Sequence, residues 1–391
     1  MTSFLRTYFA IVAIALGLVA AYNYAVDPYA TFRWHDIAGF NDRKMLKRDG
    51  GRVSKALIVG RVPFDVLFFG TSAAETGLDP HSPALRGASA FNFGLSAGTV
   101  LELAGAIRFS ARHQHPKLVL IDLDPVLFWT ARRYSGDYDQ SRLAGASQWP
   151  VMFKRLLSSQ ALKDSFGVMR ASMRRKPTPF PQTGFHNQAL DTARFAHFRS
   201  TFEAMLQSYQ PFWSRFPADY ARDRLELLRQ AVLDMTDRQA RVILFIGPFH
   251  VRHIQQIAAL GHLADLENWK RDLTRIVADI NAVPGRNVQL WDFSGPSSIT
   301  EEPLPPHEQG RMVHYWDPIH YSQTTGTLIM DRVLGHGDGV PADFGVRLTP
   351  QDIDAVLADE RRALERETAR HPDWHAVDPA GQASLSPPVA Q

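Results

Sequence analysis

The sequence predicts an α/β protein built on a doubly wound, mainly parallel sheet behind an N-terminal transmembrane helix. Three observations predict it. Short apolar runs at residues 66–70, 91–95, 118–123, 242–247 and 288–293 are bounded by turn residues, the pattern of buried strands in a parallel sheet. Helical periods separate these runs. Val100, Leu103, Ala104 and Ile107 are spaced i, i+3, i+4, i+7, as are Leu273, Ile276, Val277 and Ile280, and Leu225, Leu228, Val232 and Met235 form a similar stripe. From Tyr8 to Val26 the chain is apolar apart from Asn23, enough at ~1.5 Å per residue to cross a hydrocarbon layer of ~30 Å.

Residues 1–29 are thus expected to be a membrane anchor. Tyr22, Tyr24 and Tyr29 stand where an interfacial aromatic belt would lie, and Asp27-Pro28 ends the helix. A cleaved signal peptide is the competing reading, with Arg6 ahead of the apolar core and Val19-Ala20-Ala21 as the small-residue cleavage site. Arg33, Arg43 and Lys44 after the span outnumber Arg6 before it, against the positive-inside pattern. Long domains translocate largely regardless of charge, and the expected location is a single-pass inner-membrane protein with its folded domain in the periplasm.

Residues 30–64 read as a polar connector and residues 65–349 as the α/β domain. Within the latter, residues 129–219 look like a mostly helical insertion rich in Trp149, Phe153, Phe180, Phe185, Phe195, Phe202, Phe212 and Trp213, forming either extra core or one wall of a substrate groove. A charged, solvent-facing helix is expected over 350–371. The Pro/Ala/Ser tail at 372–391 is expected to be disordered.

Of the 391 residues, 45% are apolar and 21% charged, which excludes a disordered chain, a collagen-like repeat and a polytopic membrane protein. The net charge is only +3. The basic clusters Arg43, Lys44, Lys47, Arg48 and Arg174, Arg175, Lys176 read as solvated surface, and no nucleic-acid partner is expected. With no cysteine there are no disulfides, no thiolate zinc site and no cysteine nucleophile.

Three stretches carry chemistry. The run Asp65-Val-Leu-Phe-Phe-Gly70-Thr71-Ser72 is a strand entering a Gly-Thr-Ser corner, and ligands of open α/β sheets bind beyond such strand ends. A serine there can serve as nucleophile, with backbone N–H donors for an oxyanion, or as an ordinary helix cap. In Trp316-Asp317-Pro318-Ile319-His320-Tyr321 the carboxylate can reach the imidazole three residues on, fix its tautomer and free the other nitrogen to accept a serine proton. In Asn92-Phe93-Gly94-Leu95-Ser96-Ala97-Gly98-Thr99 small residues allow backbone donors near a reacting carbonyl, or simply make a glycine-rich turn. A rival use of His250, His253, His314, Asp317 and His320 is a Zn²⁺ or Mn²⁺ site, although their spacing fits no familiar metallohydrolase motif.

In this order and at strand ends, the three stretches resemble the SGNH/GDSL hydrolase superfamily over about residues 65–334. That resemblance implies a flavodoxin-like sheet. It implies Ser72 as nucleophile, His320 as general base and then acid, and Asp317 as its orienting partner. The backbone N–H of Ser72, with Ala97 or Gly98, would bind the oxyanion; Asn92, His250 and Tyr321 are candidates to line the substrate pocket. The chain departs from the pattern with Thr71 in place of the usual Asp, with Ala97 at the usual oxyanion glycine, and with Asp122-Leu123-Asp124-Pro125 where an Asn block is usual. These departures, with the span and Asn23-x-x-Val26-Asp27-Pro28-Tyr29, resemble the membrane-anchored branch that includes alginate O-acetylation proteins and the D-alanylation protein DltD. The branch implies O-acyl transfer to or from an exopolysaccharide, or esterase activity, without a metal or other cofactor, beside a membrane-bound O-acyltransferase. A non-catalytic polysaccharide-binding or scaffold protein is the alternative.

Overall fold

A computed structural model describes residues 2–32, 36–44, 51–129, 134, 136–178, 182–213 and 222–372. The expected tail beyond 372 lies outside the described residues, as do Phe180, Arg33, Lys47 and Arg48. In chain order the helices are α1 (Thr2–Val26), α2 (Gly51–Val59), α3 (Ser72–Gly77), α4 (Val100–His113), α5 (Val126–Trp129), α6 (Trp149–Leu157), α7 (Ser159–Met173), α8 (Phe198–Trp213), α9 (Arg222–Thr236), α10 (Val251–Ala259), α11 (Leu263–Asn281), α12 (Gln323–Leu334) and α13 (Ile353–Arg370). The strands are β1 (Val66–Gly70), β2 (Ala90–Gly94), β3 (Leu118–Leu123), β4 (Arg241–Ile246), β5 (Gln289–Asp292) and β6 (Val346–Arg347). The chain divides into two compact units, Met1–Val62 with Gly136–Leu190, and Pro63–Ser135 with Asp191–Gln391.

In the first unit, α1 is long and apolar enough to cross a membrane, and none of its apolar window is buried. Its last turns are different. Asn23 Nδ2 donates to the Leu156 carbonyl at 2.8 Å, and its Oδ1 accepts from Ser165 Oγ at 2.9 Å, so one buried amide ties α1 to α6 and α7. A helix end leaves carbonyls without intrahelical donors. Here Asn41 Nδ2 donates to Ala25 O at 3.1 Å and Lys44 Nζ to Val26 O at 2.9 Å. Asp27, at φ +47°, accepts from Thr31 and Phe32 N–H, and the Tyr29 hydroxyl donates to Asp164 at 2.7 Å. The polar residues that end α1 therefore form a joint.

Two expectations about segments are revised here. The connector holds α2, with Val53, Ala56 and Leu57 at i, i+3, i+4 all buried. Residues 136–190, the first part of the expected insertion, cluster with the N-terminal segment, and α8 belongs to the α/β unit.

The second unit carries a six-stranded sheet in the order β2-β1-β3-β4-β5-β6. All neighbours are parallel except β5 and β6, which are antiparallel. Strands β1 to β5 fall within one residue of the apolar runs, and β1 and β2 are buried throughout. An order of 2-1-3-4-5 is doubly wound, and it opens a crevice at the carboxyl ends of β1 and β3, where the direction of winding reverses. The C-terminal helix α13 is not simply solvent-facing. It buries Ile353, Leu357 and Leu364, and its Glu360 meets the buried Lys270 Nζ at 2.7 Å, which also lies 2.7 Å from Asp292.

Candidate active site

Strand β1 runs to Gly70 and turns at once into α3. Gly70 has φ +152°, and a Cβ there would lie 2.7 Å from Ala74 Cβ and 2.8 Å from Asp122 Cβ, so glycine is required at the corner. Thr71 caps the helix: its Oγ1 accepts from Ala73 N–H at 3.3 Å and donates to Asp124 Oδ2 at 3.4 Å. Ser72 follows as the first residue of α3 and is half-buried. The far end of the helix is fastened by Asn92, whose Nδ2 donates to the Ala74 and Leu78 carbonyls at 2.8 Å each while its Oδ1 accepts from Gly94 N–H at 2.7 Å.

Asp317 and His320 are presented by a narrow loop. A bridge between Tyr315 and Tyr321 closes it, with Trp316 N–H donating to His320 O at 2.8 Å and Ser322 N–H to His314 O at 2.8 Å. Inside the loop Asp317 Oδ1 accepts from Ile319 N–H at 3.1 Å and His320 N–H at 3.0 Å. Outside it, His250 N–H donates to the Pro318 carbonyl at 2.9 Å and His250 Nε2 donates to Glu302 O at 2.8 Å. The Glu302 carboxylate accepts from Val313 and His314 N–H at 2.6 and 2.8 Å.

These supports bring His320 Nε2 to 2.7 Å from Ser72 Oγ, with His320 Nδ1 2.8 Å from both oxygens of Asp317. Arg194 Nη2 donates to Asp317 Oδ2 at 3.2 Å. Burial opposes the charge on Asp317, but the His320 charge and hydrogen bond, then Arg194 and the Ile319 N–H, outweigh it and hold the carboxyl below the ordinary range. The residues form a serine–imidazole–carboxylate chain at the sheet's switch point.

Two further carboxyls end β3. Burial pushes Asp122 up to about 8; the Asp124 charge adds to this, while the Tyr321 hydroxyl and Gly247 N–H oppose it. Burial likewise pushes Asp124 up to about 6 against the Val126 N–H, the His320 charge and Thr71. On α8, burial raises the Tyr209 phenol well above the usual range, the charges of Asp124 and Asp317 adding to it, and its hydroxyl has no hydrogen-bond partner among the described residues. Its ring meets that of His253 edge-on at 5.6 Å.

Of the expected site residues, Ser72, Asp317 and His320 come together. Asn92, His250 and Tyr321, expected to line the substrate pocket, instead turn their polar atoms inward. All three are buried, and the Tyr321 hydroxyl donates to Asp122 Oδ2 at 2.8 Å. Their work is to hold α3 and the His320 loop in place. Gly98 also departs from its expected role: its N–H donates to Leu95 O at 2.9 Å, closing a turn with the exposed Ala97 at φ +50°, so that donor is already engaged. The rival metal reading loses His250, whose Nε2 is bonded to Glu302 O and whose Nδ1 accepts from Arg252 N–H. Among the described residues no group of three or more His, Asp or Glu side chains is placed to share a metal ion.

Arg194 and Tyr209 were not singled out from the sequence, and Asp124 was named only within the stretch that replaces the usual Asn block. Asp124 carried a signal, a carboxyl one residue beyond an apolar strand; the other two stand in loosely patterned sequence. Comparison with protein-family models, with curated proteins and with solved structures gives no match.

Proposed function

We propose that the protein is an SGNH-type acyl-transfer enzyme of the cell envelope, working through an acyl-Ser72 intermediate. The observation that carries this reading is the continuous hydrogen-bond chain from Asp317 through His320 to Ser72. As Ser72 Oγ attacks the carbonyl of an acyl ester, most simply acetyl, His320 Nε2 takes the serine proton. The tetrahedral intermediate collapses when the same nitrogen returns that proton to the departing alcohol, leaving acyl-Ser72. A sugar hydroxyl or water then gives its proton to His320 and attacks the acyl carbon, and His320 returns that proton to Ser72 Oγ as the acyl–Ser72 bond breaks. Asp317 accepts the Nδ1–H and stabilises the imidazolium, and Arg194 keeps Asp317 ionised. The backbone N–H of Ser72 is the first oxyanion donor in this reading.

The acceptor is an exopolysaccharide hydroxyl, the anchor is α1 in the inner membrane with the α/β unit in the periplasm, and the partner is a membrane-bound O-acyltransferase. The apolar α1 and the resemblance of the Ser72 and Asp317–His320 stretches support these assignments. The test is release of chromophore from an aryl acetate by the full chain in detergent, because cutting at residue 29 would remove Asn23 and Asp27 from the unit they brace. Ser72→Ala is expected to lower the rate by about 10³-fold or more. Equal rates in both proteins would favour a non-catalytic scaffold, a reading that the engaged Gly98 N–H favours.

A further inference from the structure

The first unit exposes large apolar side chains in a pattern. On α6, Trp149, Phe153 and Leu157 are 69%, 59% and 42% exposed, and their four-residue spacing puts them on one stripe. On α7, Phe166 and Met173 are 53% and 69% exposed and share a face with the exposed Lys163 and Arg170. This surface is continuous with α1. The Tyr22 ring meets Phe166 at 4.9 Å, and Asn23 is bonded to both α6 and α7. Its charge is one-sided: Lys154, Lys163, Arg170, Arg174, Arg175 and Lys176 are exposed, while the one acid between residues 140 and 178, Asp164, is buried against Tyr29.

We propose that α6 and α7 lie in the headgroup region of an anionic lipid bilayer, forming a second membrane contact beside α1. Apolar side chains interleaved with Lys and Arg on helices that flank a span are the chemistry of an interfacial helix: rings and thioether enter the acyl boundary while the long basic stems reach lipid phosphates. A stripe of this kind is seldom left to water. The proposal rests on α1 spanning the bilayer, and it makes the basic cluster at 174–176 a lipid contact rather than solvated surface.

Because the chain has no cysteine, single labels can be placed without background. Full-length protein carrying Ile14→Cys, Phe153→Cys, Met173→Cys or, in the second unit, Val283→Cys is spin-labelled. It is then reconstituted in vesicles of phosphatidylcholine with phosphatidylglycerol, and each label is tested for collision with oxygen and with a water-soluble nickel chelate. The expected result is preferential oxygen collision at 14, 153 and 173 and nickel collision at 283. Oxygen collision at 14 with nickel collision at 153 and 173 overturns the proposal and leaves the anchor standing; nickel collision at 14 overturns the anchor itself. Labels at 153 and 173 shielded from both probes would mean a protein partner or a second copy, and would also overturn it.

Discussion

Arg194 Nη2 lies 3.2 Å from Asp317 Oδ2, so the carboxylate that orients His320 is shared with a guanidinium from residues 192–197. A buried carboxylate paired only with a neutral imidazole is poorly compensated. Arg194→Ala is expected to lower kcat about 10- to 100-fold with KM nearly unchanged, because the lost interaction acts through Asp317. The acid limb of the pH–rate profile should move to higher pH, since the Arg194 charge that helps hold the Asp317 carboxyl down is gone. Steady-state rates across pH check both, and a rise in KM alone would make Arg194 a substrate ligand.

Tyr209 brings a hydroxyl without a hydrogen-bond partner among the described residues into the field of Asp124 and Asp317. With the Gly98 N–H engaged, this phenol is a candidate for a second oxyanion donor, and its removal tests that role. Tyr209→Phe is expected to cost about 10²-fold in kcat, the usual loss for one such donor. The unfolding temperature should stay unchanged. Kinetics and thermal denaturation on the same sample separate the two effects.

Asp122 makes a prediction about stability rather than rate. Its carboxyl is raised to about 8 by burial, so the folded chain holds a proton that the unfolded chain releases near pH 4. Stability therefore falls as pH rises from about 4 to about 8. An amide at this position cannot ionise, and its oxygen still accepts from the Tyr321 hydroxyl. Asp122→Asn should gain stability relative to the parent at pH 8 and little at pH 4, read from chemical denaturation at the two pH values.

The joint at the end of α1 can be tested in the same way. Asn23→Ala leaves the Leu156 carbonyl and the Ser165 hydroxyl without their amide partner, at a cost of about 1–3 kcal/mol. Limited proteolysis of the full chain in detergent should show faster cleavage within residues 136–190 and unchanged cleavage of the α/β unit.

The sheet was legible because strands buried on both faces are continuous apolar runs, and such runs have sharp ends. Two-residue β6 has no such run. Ser72 was legible from its place after β1, and Asp317 with His320 from a three-residue spacing that a tight loop closes. Proximity to the crevice did not reveal the direction of a side chain. Asn92, His250 and Tyr321 are adjacent to the machinery, yet their polar atoms point inward to brace it. Helix α2 was hidden by Arg52 and Lys55, which are buried despite their charge. Arg194 reaches Asp317 from more than a hundred residues away, a relation that only tertiary packing creates.

The proposed acyl transfer runs through one oxygen, that of Ser72. The most direct measurement is peptide mass mapping after the full chain is treated with a fluorophosphonate, which traps a serine oxygen activated by a neighbouring base. A single adduct is expected on the peptide containing Ser72, lost in His320→Ala. An unlabelled Ser72, or an adduct that survives loss of the imidazole, would contradict it.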